Sequence, residues 1–189
     1  MMKRTTATLL LGVALAAFPG CSSPSRSLRG LAQDQHDDVM RAPRDSEDAK
    51  SIEARSVARA EKVRKLLTDQ QECSAADHYN AALVLVQCTR EEDLELAHEQ
   101  ALAAAEHGEP RGFRVAAEAL DKLMVKRGML QKYGTQFVWE PVLRAWQLYP
   151  VDPGTSDEER QVMGVPPLAE IQKQEAELNR RQKNGSGAH

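Results

Sequence analysis

Between Ser74 and Gly128 the chain writes three successive helices largely in Ala and Leu, each with its own start and stop signals. Ser74-Ala75-Ala76-Asp77 reads as an N-cap with an acid three residues on, the reciprocal arrangement that satisfies free amides at a helix start. The helix it opens carries Tyr79, Ala82, Leu83 and Val86 on one face and Ala81, Val84 and Leu85 on the others. A helix apolar nearly all round belongs in the centre of a bundle. Thr89 is expected to cap the next helix, with Glu91, Glu92 and Asp93 in a first turn where the helix dipole favours acids. Leu94, Ala97, Ala101 and Ala105 form its inner stripe, and Gly108 ends it. Pro110 then starts a helix on Phe113, Ala116, Ala117, Leu120, Leu123 and Met124, closed by Gly128.

With two Trp, three Tyr and three Phe in 189 residues, small aliphatic side chains must supply the core, and Ala-rich faces let helix axes approach closely. An earlier amphipathic helix begins at Ser51, with Ile52, Ser56, Arg59, Val63, Leu66 and Gln70 on one stripe and Ala60 and Leu67 widening it. These four helices predict a mainly α protein built of stacked helical hairpins, near the spacing of paired-helix repeat proteins. After Gly128 the composition shifts to Tyr, Phe, Trp, Val and Thr. Residues 131–139 and 142–149, separated by Glu140-Pro141, predict a short β-hairpin. Thr155 or Ser156 is placed to cap a short helix through Arg160. Pro166-Pro167 precedes a C-terminal helix on Leu168, Ile171, Glu175 and Leu178. The helical domain is expected to span residues 51–182, with 183–189 a frayed tail.

The N-terminus supplies an address. Met1-Met2-Lys3-Arg4 is a basic start, and the apolar run Ala7 to Phe18 is too short for a bilayer core that needs about 20 residues. It has the size of a secretory signal. Phe18-Pro19-Gly20-Cys21 resembles a bacterial lipobox, which makes residues 1–20 a lipoprotein signal peptide and Cys21 the lipidation site; the alternative is ordinary cleavage after Ala14-Leu15-Ala16, which leaves Cys21 a plain thiol. Residues 21–50, including Asp34-Gln35-His36-Asp37-Asp38 and Pro43-Arg44-Asp45-Ser46-Glu47-Asp48, are expected to be a disordered tether. The chain is then an exported, periplasm-facing envelope lipoprotein, with Ser22 pointing to the outer membrane in a double-membraned host. A formal charge of −3 argues against nucleic acid as a partner.

No familiar catalytic set is complete. The sequence has no G-x-G-x-x-G, P-loop or G-x-S-x-G, and His98-Glu99 lacks a second His four residues on. His98 and His107 lie about 900° apart around one helix and cannot share a metal, so no metal or cofactor is expected. Cys73 and Cys88 flank a helix that separates them by about 22 Å, whereas a disulfide needs under about 7 Å. Gln87, Asp121, Gln131, Gln136, Asp157 and Arg160 are polar groups beside apolar stretches. If they converge, they make either a site for a polar ligand or a latch in which Asp121 and the amides satisfy backbone groups of the hairpin.

Asp121-Lys122, Gln131-Lys132-Tyr133-Gly134-Thr135-Gln136 and Asp157-Glu158-Glu159-Arg160, with Leu85-Val86-Gln87-Cys88 and Ala97-His98 upstream, resemble a bacterial domain family of unknown function. Its pattern is Asp-Arg, Gln-x-Tyr-Gly-Thr-Gln and Asp-x-x-Arg, and the likeness covers about residues 75–170. It implies that Gln87, His98, Asp121, Gln131, Tyr133, Gln136, Asp157 and Arg160 belong to one site or latch. Lys122 stands where the family has Arg, and Cys88 where His is common. The sequence therefore predicts a lipid-anchored, non-catalytic module that binds an envelope protein or polymer. The alternative is a small glycan- or peptide-active hydrolase using Asp121 and Asp157.

Overall fold

A computed structural model describes residues 24–41, 47–69 and 73–185. The proposed signal, Cys21 and residues 186–189 lie outside the described residues. The protein is mainly helical, as the sequence predicts, with a two-stranded antiparallel hairpin and a C-terminal helix. The described elements are α1 (Pro24–Arg41), α2 (Glu47–Asp69), α3 (Ala75–Leu85), α4 (Glu91–Glu106), α5 (Arg111–Lys126), β1 (Phe137–Glu140), β2 (Ala145–Leu148), α6 (Asp157–Val162) and α7 (Leu168–Gly185). Among the described residues no helix is long and apolar enough to cross a membrane.

Helix α3 is central and touches α1, α2, α4 and α5. Ser74 and Asp77 form the expected reciprocal cap, and Ala81, Ala82, Val84 and Leu85 are fully buried. The Ala stripe acts as the composition requires, with Ala97, Ala101 and Ala104 of α4 and Ala116, Ala117 and Ala119 of α5 excluded from solvent. Gly112 brings the two helices closer still. A Cβ built there would lie 2.2 Å from the Ala101 carbonyl oxygen, a distance no side chain can occupy.

Several bounds shift: α2 begins at Glu47 rather than Ser51, the strands cover only 137–140 and 145–148, and α7 runs to Gly185, into the stretch expected to fray. Two expectations fail outright. The segment expected to be a disordered tether contains α1, which packs along α2 and α3. Its Leu28 is fully buried, and Ala32 and Gln35 nearly so. Polar groups do most of the remaining docking. Gln35 Nε2 donates to Ser56 Oγ at 2.9 Å. Arg55 donates to both Asp38 oxygens at 2.9 and 3.0 Å, and Arg59 also bonds Asp38 while donating to Gln35 Oε1 at 3.0 Å. Asp38, one of the charges that suggested a solvated linker, is a partner for Arg55 and Arg59 of α2. The second failure is the cap of α4. Arg90 occupies the cap position, while the Thr89 hydroxyl turns away to donate to Glu53 at 3.0 Å.

β1 and β2 pair with Phe137 opposite Leu148 and Trp139 opposite Trp146. Phe137 and Leu148 pack against the core, and the two Trp rings meet edge to face at 5.6 Å. Ser156 caps α6, and Met163, Val165 and Ile171 complete the core from the C-terminal side.

Candidate functional site

The polar residues singled out in the second half of the chain converge, and their centre is Asp121. This residue lies on the inner face of α5 and has no solvent exposure. Its Oδ1 accepts the backbone amides of Lys132 and Tyr133 at 2.7 and 2.9 Å. Its Oδ2 accepts the amide and the hydroxyl of Thr135, both at 2.9 Å. Four donors fill the lone pairs of one carboxylate, and all four come from a single loop. That loop turns through Gly134, whose φ of +93° suits only glycine, with Ile171 Cδ1 3.1 Å from where a Cβ would sit.

Gln131 does for the hairpin what Asp121 does for the loop. Its Nε2 donates to the carbonyls of Gln136 and Tyr149 at 3.1 and 2.7 Å, and its Oε1 accepts the Gln136 amide at 2.8 Å. One fully buried amide side chain therefore clasps both strands at the base of the hairpin. The Gln136 side chain donates to Thr135 Oγ1 at 2.7 Å.

Arg160 supplies the third tie. It is 2% exposed. Its Nε donates to the Tyr133 carbonyl at 3.1 Å, and its Nη1 to the Thr155 carbonyl at 2.9 Å and to Asp157 Oδ1 at 3.0 Å. Asp157 Oδ1 also accepts the Leu168 amide at 2.9 Å, which links α6 to the start of α7. Asp121, Gln131, Tyr133, Gln136, Asp157 and Arg160 are thus one network, and its partners are the protein's own backbone. Of the two alternatives, the geometry is that of a latch. A carboxylate with no exposure and four donors can neither reach a substrate nor exchange a proton with one, so Asp121 is withdrawn as a hydrolase carboxylate.

Gln87 and His98 stand apart from this network. Gln87 lines a small cavity of about 210 Å³ between α1, α2 and the end of α3, with Ser56 and Cys88. His98 donates through Nδ1 to the Ala116 carbonyl of α5 at 2.9 Å, a helix-to-helix tie at the core edge. His107 faces the other way and sets its ring 5.4 Å from that of His78. Among the described residues no group of three or more His, Cys, Asp or Glu is placed to hold a metal ion. No disulfide joins Cys73 to Cys88. The buried Cys88 thiol is pushed up to about 11, first by burial and then by the charge of Asp93. Lys122 gives its single charge to the Val86 carbonyl at the end of α3, at 2.9 Å, and to Glu118 at 3.1 Å.

Two features were not read from the sequence. Asp93 is fully buried and paired with Arg64 and Arg90. Only its place in the first turn of α4 hinted at a role. The other is an open groove of about 580 Å³ between α1, α3 and the α4–α5 turn. Arg29, Gln33 and His36 line it from α1, Tyr79 and Asn80 from α3, and Arg111 from the start of α5. The Arg111 guanidinium lies 4.5 Å above the Tyr79 ring and is held by Glu109 at 2.6 and 2.7 Å. Four of its eleven lining residues come from a helix expected to be a linker, which is why the sequence did not disclose it. No family model matches the chain, and neither a curated protein nor a solved structure matches it.

Proposed function

We propose that this chain is a lipid-anchored envelope protein that binds a protein or an envelope polymer and has no catalytic role. The observation that carries the reading is the contrast between the two polar regions. The latch uses its carboxylates on its own backbone, whereas the α1–α3 groove stays open and presents cationic, amide and aromatic groups beside Asp77 and Glu109. The carboxylates of those two are engaged by the Ser74 cap and by Arg111. A concave surface of that volume, with a few convergent polar groups, is the usual form of a binding site. Gln33 and Asn80 suit hydroxyl or amide groups of a polymer, and Arg29 and His36 suit carboxylates along it.

The anchor rests on the basic start, the short apolar run and Cys21. Most of the likeness to the family of unknown function is carried by residues that build the latch, with Gln87 and His98 outside it, so it supports a shared fold element more than a shared activity.

Two measurements test the reading. Detergent-phase partitioning of the wild type should be lost in Cys21→Ala, and unchanged partitioning would remove the anchor. For the groove, a photo-crosslinking residue at Gln33 should give an adduct with an envelope component in intact cells. The same residue at exposed Glu158 serves as the control. Equal labelling from both positions, or none from Gln33, would remove the groove as the binding surface.

A further inference from the structure

The two edges of the β-hairpin are not equivalent. On β2 the outward amides of Trp146 and Leu148 donate to Asn179 Oδ1 at 2.7 Å and Glu175 Oε2 at 3.1 Å, and the Trp146 carbonyl accepts Asn179 Nδ2 at 2.8 Å. Asn179 and Glu175 are four residues apart on one face of α7, so this helix covers the edge with side chains that imitate a neighbouring strand. Pairing of Phe137 with Leu148 and Trp139 with Trp146 then points the Phe137 and Trp139 amides and carbonyls outward from β1. Among the described residues no hydrogen bond is made to these outward groups.

Open edges are normally guarded by Lys, Pro, a bulge or a covering element. Phe137-Val138-Trp139-Glu140 has no Lys, Pro, bulge or covering element within the strand; its guards are its four-residue length and Glu140, at the end away from Phe137, while Val138 is 40% exposed. We infer that the open edge of β1 pairs antiparallel with β1 of a second copy of this chain, about a twofold axis at Val138.

The strand is complementary to itself in that register. Phe137 faces Trp139 of the second copy, and the two exchange both amide-to-carbonyl bonds; the symmetric pair does the same, giving four bonds. Each Val138 packs on its counterpart. Glu140, the one charge in the strand, falls opposite Gln136 of the second copy, so no like charges meet. The product is a four-stranded sheet whose two outer edges are both covered by α7. That closure favours a dimer over an open-ended stack and over an unrelated peptide, which would leave no symmetric pair at Val138.

Sedimentation equilibrium of the full chain, in density-matched detergent, tests this without reference to the lipid anchor. The wild type should show a concentration-dependent mass approaching twice that of its own denatured chain. Val138→Lys, at an exposed side chain, should sediment as a monomer with unchanged circular dichroism. Gln147→Lys, on the same sheet face of the covered strand, should remain a dimer. Val138→Cys should form a covalent dimer on mild oxidation, because Cα atoms in such a pair lie about 4.5 Å apart, and peptide mapping should show a 138–138 link. A wild-type monomer at about 0.1 mM or a dimer that survives Val138→Lys would overturn the inference. So would a Val138→Cys disulfide that forms only with a different protein, and that result would assign the edge to an extended peptide instead.

Discussion

Tyr133 donates its backbone amide to Asp121 Oδ1 at 2.9 Å, which ties the loop after α5 to the middle of that helix. The bond is one of four to the same carboxylate, and burial in a weakly polar interior makes each of them count. Asp121→Asn preserves the volume but replaces one acceptor oxygen by an NH₂ group facing other donors. We expect a loss of about 3 kcal/mol in urea unfolding, in the range seen when buried charged networks are broken. A variant within about 1 kcal/mol of wild type would show that the loop is held by something other than Asp121.

Gly112→Ala should separate α4 from α5. The added carbon would meet the Ala101 carbonyl at 2.2 Å and the Ala105 amide nitrogen at 2.9 Å, and both belong to backbone that cannot swing aside. Although Ala is the better helix former, we expect destabilisation of about 2 kcal/mol or more, measured as a fall in Tm. An unchanged or raised Tm would mean the two helices slide apart at no cost.

Docking of α1 should depend on acid. The hydrogen bonds from Arg55, and then from Arg59, hold Asp38 at about 2. A carboxylate depressed in the folded state stabilises it above the unfolded value near 3.8, and that contribution is lost as pH falls through about 2. The contribution is at most about 2 kcal/mol, and solvent at the edge of the pair reduces it. Asp38→Asn should therefore be less stable than wild type at pH 7, and the difference should shrink between pH 4 and pH 2. A pH-independent difference would refute the ion-pair account.

Cys88 should resist alkylation. Its thiol lies under α2, within 3.7 Å of the Ser56 and Val84 carbonyls, and with a pKa of about 11 it supplies little thiolate at pH 8. Iodoacetamide should label it at least about 100-fold more slowly in the native protein than in urea, read by peptide mass spectrometry. Rapid native labelling would place the sulfur at a surface.

The helical half of the fold was legible because its rules are local. Ser74 and Asp77 cap α3 through groups three residues apart, and Pro110 and Gly128 bracket α5 by backbone constraints each residue carries alone. The polar set in the second half was also legible as a group. Whether it formed a ligand site or a latch was not, since the partners of Asp121 lie 11 to 14 residues away and are mostly backbone amides.

Sequence alone determined the mainly helical class, the Ala-lined core and the presence of a hairpin after α5, because periodicity and capping act over a few residues. Of the polar set it singled out, Gln87 and His98 fall outside the network. Only the tertiary structure decided that α1 is part of the body, that Thr89 turns to Glu53, and that α7 covers one edge of the hairpin. Each of these depends on which polar groups meet across the fold. An Asp such as Asp38 reads the same in a linker as in a helix until Arg55 and Arg59 stand opposite it.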